Sequence, residues 1–284
     1  MDLKKAKQLS LVLFFFLLPT VVFSQDTLKV KNVEAVLYTN NQAKQPLVVG
    51  LGGSEGGNAW TSDYWKKTRE QFLAKGYAFL AIGYFGCKGT PKILDQIAID
   101  EVYQAIATAK KYQKVDSNKI AVLGGSRGAD LALLLGSYYP DIDLVIGMSA
   151  SHAVFPGHTQ HFTSSCWTFK GKELPFIPVN DQAVPFLMKR DLRGTFTAMM
   201  QDSLAEQKAL IKVERINGPV LLLSADKDEM IPAVQMGEKM ISRLKDSGFK
   251  YPFEQVVYQG SHTEPTKHFD KVFAFLESNF LKRR

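Results

Sequence analysis

Apolar residues occur along the chain in short continuous runs, separated by longer stretches in which they recur every three or four positions. Continuous Val, Ile and Leu runs are typical of strands buried on both faces of a parallel sheet. They predict seven strands, at 33–39, 46–51, 77–85, 119–124, 144–150, 219–225 and 253–259. The intervening stretches have helical spacing and predict helices at 62–75, 93–113, 127–139, 233–247 and 265–280.

This alternation is typical of an α/β protein with a mostly parallel sheet and helices on both faces. The alternation is interrupted at about 151–216, where Pro, Gly and aromatic residues precede a polar helical stretch. We interpret this segment as an insertion over one edge of the sheet, because it lies between two predicted core strands.

The N-terminal segment has the pattern of a secretory signal peptide. Three lysines precede an apolar run at 11–23, and a small residue, Ser24, stands at a plausible cleavage site. We therefore expect a leader at 1–24 and a single exported domain at 25–284, either periplasmic or secreted and with no stable membrane span. An uncleaved anchor is the alternative, although the run is shorter than the ~20 residues that span a bilayer.

Charge and cysteine content narrow the possible partners. The formal net charge is +7, and only the C-terminal KRR forms a basic cluster. No basic stripe with interleaved aromatic residues is present, so a nucleic-acid partner is not expected. Cys87 and Cys166 are the only cysteines. Export permits a disulfide between them, but the sequence leaves this pairing and the oligomeric state open.

Two stretches match the G-x-S-x-G pattern of a serine nucleophile, GGSEG at 52–56 and GGSRG at 124–128. A serine hydroxyl attacks only when a base is in reach and a sharp strand-to-helix turn exposes it. GGSRG lies directly between a predicted strand and a predicted helix. GGSEG is followed by Gly, Asn, Ala and Trp before any helix starts. Ser126 is therefore the predicted nucleophile.

The first stretch is predicted to form part of an oxyanion hole. In the α/β-hydrolase fold, one N–H donor follows the nucleophile, here Arg127, and the other lies in a glycine-rich loop after an earlier strand. Ser54 or Glu55 is the predicted second donor, and the Glu55 side chain is expected to point away from the charge. The supporting glycines are Gly52, Gly53 and Gly56.

The chain order of this fold places the acid and then the histidine after the nucleophile. The run PVLLLSADKDEMIP places Asp228 shortly before a proline turn, and Asp226 is the alternative acid. His262 follows the last predicted strand in a Gly-Ser-His turn, whereas His268 lies within the pattern of the final helix. We expect His262 to take the proton of the serine, while the acid orients the imidazole.

The insertion contains four side chains that resemble a metal site: His152, His158, His161 and Cys166. Their spacing is not a recognised zinc pattern, so no metal is expected. GLGGSEGG also fails the dinucleotide pattern because position 55 is Glu, and no cofactor is predicted. The insertion's aromatic residues are expected to pack it or to line an acyl pocket; they are Phe155, Phe162, Trp167, Phe169, Phe176 and Phe186.

Several longer stretches carry a family resemblance, namely 119–151, GLGGSEGG at 50–57, WTFKGKELPFIP at 167–178 and 218–244. Together they resemble the C-terminal catalytic domain of the acyl-CoA thioesterase and bile-acid-CoA:amino-acid N-acyltransferase family. The resemblance implies an α/β-hydrolase whose insertion lies between the sixth and seventh core strands of that fold. It also implies catalytic roles for the residues at 126, 228 and 262. The histidine turn is one residue shorter than is usual in the family.

These observations predict an exported serine hydrolase that cleaves an acyl ester or thioester of a small-molecule substrate. Coenzyme A is scarce outside the cytoplasm, so the family's acyl-CoA substrate does not transfer directly to this chain. The amino-acid transferases of the family that this chain resembles use a cysteine nucleophile, so the resemblance implies water as the acceptor for a serine. Amino-acid N-acyl transfer, amide or peptide cleavage, and a non-catalytic binding protein of the same fold remain as alternatives.

Overall fold

The structure, a computed structural model, describes residues 23–281. The predicted signal peptide therefore lies outside the described residues, except for Phe23 and Ser24. The described chain forms strands β1 (Ser24–Val30), β2 (Val33–Thr39), β3 (Gln45–Leu51), β4 (Ala78–Gly83), β5 (Ile97–Ala98), β6 (Val115–Gly125), β7 (Leu144–Met148), β8 (Trp167–Phe169), β9 (Lys172–Glu173), β10 (Val220–Ala225) and β11 (Phe253–Tyr258). Its α-helices are α1 (Asp63–Ala74), α2 (Ile99–Ala109), α3 (Arg127–Tyr138), α4 (Val184–Met188), α5 (Leu192–Met199), α6 (Ser203–Ala209), α7 (Ala233–Asp246) and α8 (Phe269–Leu276).

Eight strands form one sheet in the order β1-β2-β4-β3-β6-β7-β10-β11. The pairings β1–β2 and β2–β4 are antiparallel, and the remaining pairings are parallel. This confirms the predicted mostly parallel α/β sheet. Because β6, β7, β10 and β11 run in one direction, the loops that follow them meet at one edge of the sheet, where ligands bind in open α/β folds.

Strand β1 was not among the predicted strands, although it pairs with β2 along its whole length. It lies at the edge of the sheet, and Leu28 is its only fully buried residue. An exposed edge strand does not require the apolar run by which a central strand is recognised. Counting β1, the insertion lies between the sixth and seventh strands of this sheet, β7 and β10, as predicted.

Helices cover both faces of the sheet because each has one apolar side. Helices α2 and α3 contribute Val102 and Leu131 to the core on one face. Helices α1 and α8 contribute Phe72 and Phe273 to the core on the other face. The helix predicted at 93–113 begins only at Ile99, because the two preceding residues pair with β8 of the insertion.

The insertion folds over the edge of the sheet where the predicted site residues lie. It contains helices α4, α5 and α6, and its strands β8 and β9 join β5 in a small second sheet. Phe155, Ile177 and Met199 belong to a separate small core beneath these helices. Within residues 23–281, no helix combines the length and apolar character needed to cross a membrane.

Candidate active site

Ser126 stands alone between β6, which ends at Gly125, and α3, which begins at Arg127. Its backbone has φ 52° and ψ −123°, a conformation that L-residues rarely adopt and that costs strain. The Ser126 N–H donates to the carbonyl of Met148, 2.8 Å away at the end of β7, which holds this turn in place. The sheet therefore holds Ser126 in this strained conformation, and the turn has the form of a nucleophile elbow.

The two outer glycines of GGSRG allow three backbone segments to approach closely. A Cβ atom on Gly124 would lie 2.0 Å from the carbonyl oxygen of Gly128. A Cβ atom on Gly128 would lie 2.2 Å from the carbonyl oxygen of Gly52, in the other glycine-rich loop. The two similar motifs are therefore in direct contact, and glycine is required where they meet.

The Gly128→Ala substitution is expected to destabilise the protein by at least ~1–3 kcal/mol, because the new methyl group would clash with a backbone oxygen that no rotamer change can move. Gly125→Ala is the matched control in the same motif, since a Cβ there meets no atom within 4 Å. Urea unfolding of both variants measures the difference. Equal free energies of unfolding would contradict the close contact between the two loops.

The structure brings Asp228 and His262 together. Asp228 follows β10, His262 follows β11, and Nδ1 of the histidine lies 2.9 and 2.8 Å from the two carboxylate oxygens of Asp228. The Asp228 carboxylate is fully buried and accepts backbone N–H bonds from Met230 and Ile231, at 2.9 and 3.0 Å. These bonds fix the carboxylate, and the carboxylate in turn fixes the orientation of the imidazole.

The alternative acid and base lie elsewhere. Asp226 is exposed, and its carboxylate accepts the N–H of Gly260 at 3.0 Å, so it shapes the turn that leads to His262. His268 stacks on Tyr258 with ring centroids 3.6 Å apart, and its Nε2 lies 3.3 Å from a carboxylate oxygen of Glu264. Neither residue is part of the group around Ser126.

Strand β7 connects the serine and the histidine. Its last residue, Met148, accepts the Ser126 N–H, and the next residue, Ser149, donates its hydroxyl to the backbone carbonyl of His262 at 2.8 Å. On the other side, the His262 N–H donates to a carboxylate oxygen of Glu229 at 2.9 Å. Ser126 and His262 thus line the same groove, and two backbone bonds hold the histidine turn beside it.

The loop that carries Gly52, Gly53 and Gly56 lies opposite Ser126 and differs from expectation at Glu55. The carboxylate of Glu55 does not point away; it turns back and accepts the N–H of Gly53 at 3.0 Å. The N–H of Gly53 is thereby occupied, whereas the N–H of Ser54 has no hydrogen-bond partner within residues 23–281. The hydroxyl of Tyr84 donates to the carbonyl of Gly52 at 2.7 Å and supports the loop from below.

The N–H of Arg127 is a second donor at this site for which the described part of the chain supplies no acceptor. Arg127 is the first residue of α3, and the first N–H groups of a helix have no partner within the helix. Gly53 lies beside the elbow, since a Cβ on it would be 3.2 Å from Cβ of Ser126. Ser54, next to Gly53, and Arg127, next to Ser126, are therefore both near the elbow.

Two cavities meet at Ser126. The first, here called the outer groove, has a volume of about 470 Å³ and is open; it is lined by residues 51–55, Trp60, Trp65 and His262 among others. The second, here called the inner cavity, has a volume of about 160 Å³ and lies beneath the insertion. Its walls are mostly apolar side chains, including Val179, Leu187, Leu192, Phe196, Met199 and Ile231. Ser54 and Ser126 border both cavities.

A buried ion pair forms part of the wall of the inner cavity. Arg127 and Asp130 are only 7% and 1% exposed, and Nη1 of the arginine lies 3.3 Å from a carboxylate oxygen of the aspartate. The other carboxylate oxygen accepts the N–H of Ser151 at 2.7 Å. Burial raises the pKa of Asp130 to about 6, although the guanidinium and these hydrogen bonds oppose the rise.

The raised pKa of Asp130 makes the stability of the fold depend on pH. Its value of about 6 in the folded protein, against an ordinary 3.8, means that ionisation is less favourable in the folded state. The corresponding stability, roughly 3 kcal/mol, is present below pH 4 and is lost as the pH rises through 6. Comparing the free energies of unfolding of wild type and Asp130→Asn from pH 4 to 7 isolates this contribution.

We expect the wild type to lose stability relative to Asp130→Asn over that range. The variant leaves Arg127 without its ionic partner, so its stability is lower overall, and the difference in slope is the diagnostic quantity. Parallel pH profiles for the two proteins would contradict a raised pKa at Asp130.

The four side chains of the insertion that resembled a metal site have separate surroundings. His152 is buried with its Nε2 2.6 Å from a carboxylate oxygen of Glu206, and Cys166 donates its thiol to the carbonyl of Pro156. His158 lines the inner cavity, and His161 is exposed on the surface. Among residues 23–281, no group of three or more His, Cys, Asp or Glu side chains is arranged to hold a metal ion. Cys87 and Cys166 are both free thiols.

The sequence-based prediction gave a role only to the backbone N–H of Arg127 and none to its side chain or to Asp130. A signal was present, since the helix GADLALLLG is apolar apart from this one acid. A lone charge in a helix buried on all sides requires a partner, and the arginine three residues earlier is within reach. The support from Tyr84 had no comparable signal, because the loop it contacts is distant in sequence.

Comparisons with known proteins give a consistent result. The family model described as BAAT / acyl-CoA thioester hydrolase C terminal matches residues 102–264, more than half of the chain, and a second model, BD-FAE, matches residues 35–165. Human acyl-coenzyme A thioesterase 2, mitochondrial, is 24% identical over 242 residues, which are 84% of this chain and 46% of that protein. The chain spans less than half the length of such curated relatives.

Solved structures share the fold at low sequence identity. An acetyl xylan esterase from Paenibacillus sp. R4 has a TM-score of 0.59 and 16% identity, covering 94% of this chain and 87% of the esterase. The acylaminoacyl peptidase of Pyrococcus horikoshii has a TM-score of 0.65 and 12% identity, covering 94% of this chain and 43% of the peptidase. These likenesses confirm the predicted α/β-hydrolase fold. Together with the family match, they identify the chain as a member of the BAAT / acyl-CoA thioester hydrolase C-terminal family.

Proposed function

We propose that this protein is an exported serine hydrolase that cleaves an acyl ester or thioester through an acyl-enzyme on Ser126. The observation that carries the proposal is the pairing of a buried carboxylate with Nδ1 of His262 beside a serine on a strained turn. A carboxylate on Nδ1 holds the proton at that nitrogen and leaves Nε2 free to act as a base. The family match supports acyl chemistry at this site.

In the proposed reaction, His262 Nε2 takes the hydroxyl proton of Ser126 as the oxygen attacks the acyl carbonyl. The tetrahedral intermediate places a negative charge on the former carbonyl oxygen. We assign the binding of that oxyanion to the free N–H groups of Ser54 and Arg127, and the Glu55 carboxylate holds the loop of Ser54 through its bond to the N–H of Gly53. The imidazolium then protonates the leaving group, and Asp228 stabilises its charge. His262 then takes a proton from water as the water oxygen attacks the acyl-enzyme carbonyl, and the imidazolium returns that proton to Ser126 Oγ as the bond between serine and acyl group breaks and the acid is released.

The outer groove is the proposed site of the leaving group, and the inner cavity that of the acyl group. Among the described residues that line the outer groove, Glu55 is the only Asp, Glu, Lys or Arg. A leaving group with several phosphates needs cationic partners, and this groove supplies a carboxylate instead. We therefore favour an uncharged leaving group over coenzyme A, in agreement with the proposed export, which depends on the N-terminal leader pattern.

The proposal is tested by labelling the full mature chain with a fluorophosphonate and mapping the modified peptide by mass spectrometry. We expect a single adduct on Ser126. Hydrolysis is then measured over simple esters, acyl-CoAs and aminoacyl conjugates, with and without added amino acids as competing acceptors. Hydrolysis of simple esters without acylated amino acids is the expected result. Failure of any active-site probe to label Ser126 would favour a non-catalytic binding protein, and a strong preference for acyl-CoA would contradict the proposed leaving group.

A further inference from the structure

The inner cavity contains a charged group that the proposed reaction does not use. The guanidinium of Arg127 forms one hydrogen bond of 3.3 Å, to Asp130, although a guanidinium has five N–H donors. Its remaining donors have no partner within residues 23–281. These donors are not enclosed by protein atoms, and Arg127 lines a cavity in which a ligand can supply their acceptors.

The aromatic residues around Arg127 hold the guanidinium in place. It lies 5.7 Å from the ring centroid of Phe155 and 5.5 Å from that of Phe196, within the range of cation–π contacts. Phe196 belongs to α5 of the insertion, and Phe155 lies in the small core beneath the helices of the insertion. The two rings pack against each other, with centroids 4.7 Å apart, and the guanidinium lies beside this pair, in the part of the molecule assigned to the acyl group.

The size of the inner cavity limits the acyl group. Its volume of about 160 Å³ is close to that of an engineered protein cavity of about 150 Å³ that binds benzene. Roughly six non-hydrogen atoms beyond the acyl carbonyl therefore fit without movement of the insertion. A long, unsubstituted fatty chain would exceed this space and would also offer no acceptor to the remaining N–H donors of the guanidinium.

Charge balance indicates which kind of acceptor suits Arg127. Asp130 is ionised at neutral pH and already offsets the positive charge of Arg127. A carboxylate on the ligand would therefore gain little from the arginine and would be repelled by the carboxylate of Asp130. An uncharged oxygen accepts a charge-assisted hydrogen bond from the guanidinium without this repulsion. Carbonyl and hydroxyl oxygens are acceptors of this kind.

We propose that the preferred acyl group is short and carries an uncharged oxygen near its far end, and that the Arg127 side chain recognises this oxygen. The inference rests on the proposed function, since it assigns the inner cavity to the acyl group. Arg127 would thus act twice, with its backbone N–H at the oxyanion and its side chain at the end of the acyl group.

Three acyl groups of matched shape test the proposal, presented as 4-methylumbelliferyl esters with the spontaneous rate subtracted. They are 4-methylpentanoate, 4-oxopentanoate and the hemisuccinate, which end in an isopropyl group, an acetyl group and a carboxylate. For the wild type at pH 7.5, kcat/KM for the 4-oxopentanoate is expected to exceed that for the 4-methylpentanoate by about tenfold, the scale of one charge-assisted hydrogen bond. The hemisuccinate is expected to fall below the 4-oxopentanoate.

The matched variant is Arg127→Met with Asp130→Asn. It removes the guanidinium without leaving a buried charge unpaired, and Asn keeps an oxygen for the Ser151 N–H. The ratio between the two uncharged esters is expected to fall to about one. Because both rates come from one preparation, partial unfolding does not change this ratio.

Each other outcome contradicts a specific step. A wild-type ratio near one, with both esters hydrolysed, would overturn the inference and leave the proposed function standing. If the double variant still preferred the 4-oxopentanoate to the 4-methylpentanoate, Arg127 would not be the group that recognises the oxygen. If the hemisuccinate were the best substrate, the recognised group would be an anion and not an uncharged oxygen. Absence of hydrolysis of all three esters by a protein that fluorophosphonate still labels at Ser126 would overturn the inference alone, whereas absence of labelling as well would overturn the proposed function with it.

Discussion

Replacing Ser126 with Ala is expected to lower kcat for ester hydrolysis by roughly 10⁵- to 10⁶-fold, the scale observed when the nucleophile of a serine hydrolase is removed. The loss follows from the loss of the acyl-enzyme, since no other hydroxyl is proposed to replace it. The proposed oxyanion donors are backbone N–H groups and remain in the variant, so a residual rate above the uncatalysed reaction is expected. Steady-state hydrolysis of a short activated ester measures both quantities.

Ser54→Ala is the matched control for this experiment, because Ser54 is the central residue of the other G-x-S-x-G stretch and borders the same two cavities. Its proposed contribution is its N–H, which the substitution keeps. The control should retain fluorophosphonate labelling, while Ser126→Ala should lose it. If Ser54→Ala abolished labelling and Ser126→Ala did not, the two similar motifs would have exchanged roles.

The elbow could be predicted from sequence because its determinants are local. A strand, a serine between small residues and a helix follow one another directly at 119–139, so nothing distant in sequence is needed to recognise the turn. The contact between the two glycine-rich stretches is different. It requires that β3 and β6 be neighbours in the sheet, which depends on strand order and not on either motif.

The sequence alone does not determine whether Asp226 or Asp228 is the partner of His262. Asp226 and Asp228 both follow β10, and their spacing from the proline favours the second only weakly. In the structure, the N–H groups of Met230 and Ile231 turn one carboxylate inward, whereas Asp226 faces solvent and binds the N–H of Gly260. Burial and backbone partners separate the two residues, and these depend on the loop conformation.

The predicted orientation of the Glu55 side chain was wrong because it rested only on repulsion between the carboxylate and a developing oxyanion. The structure adds a local one: the loop exposes the N–H of Gly53, and the carboxylate two residues later closes a short hydrogen-bonded turn with it. A bond to a backbone donor partly neutralises the carboxylate and leaves the N–H of Ser54 as the free donor of the loop. In the proposed function, the same side chain therefore leaves Ser54 as the oxyanion donor of this loop and makes the outer groove unfavourable for phosphates.

The second large effect is expected for Asp228→Asn, with kcat lowered by about 10⁴-fold and little change in the fold. In the wild type, the N–H groups of Met230 and Ile231 bind Oδ1 of the aspartate, and the Asn oxygen can accept the same two bonds. Its NH₂ group then faces Nδ1 of His262. An NH₂ group there forces Nδ1 to act as acceptor, moves the imidazole proton to Nε2, and removes the base that Ser126 needs.

Asp226→Asn is the control for this prediction, because it makes the same chemical change two residues away on an exposed side chain. Its oxygen can still accept the N–H of Gly260, so kcat is expected to stay within a few-fold of wild type. Ester hydrolysis and the rate of fluorophosphonate labelling are measured for both variants, with urea unfolding to verify the fold. Equal losses of kcat in the two variants would mean that the effect is one of local structure. A larger loss for Asp226→Asn would assign the role of acid to that residue.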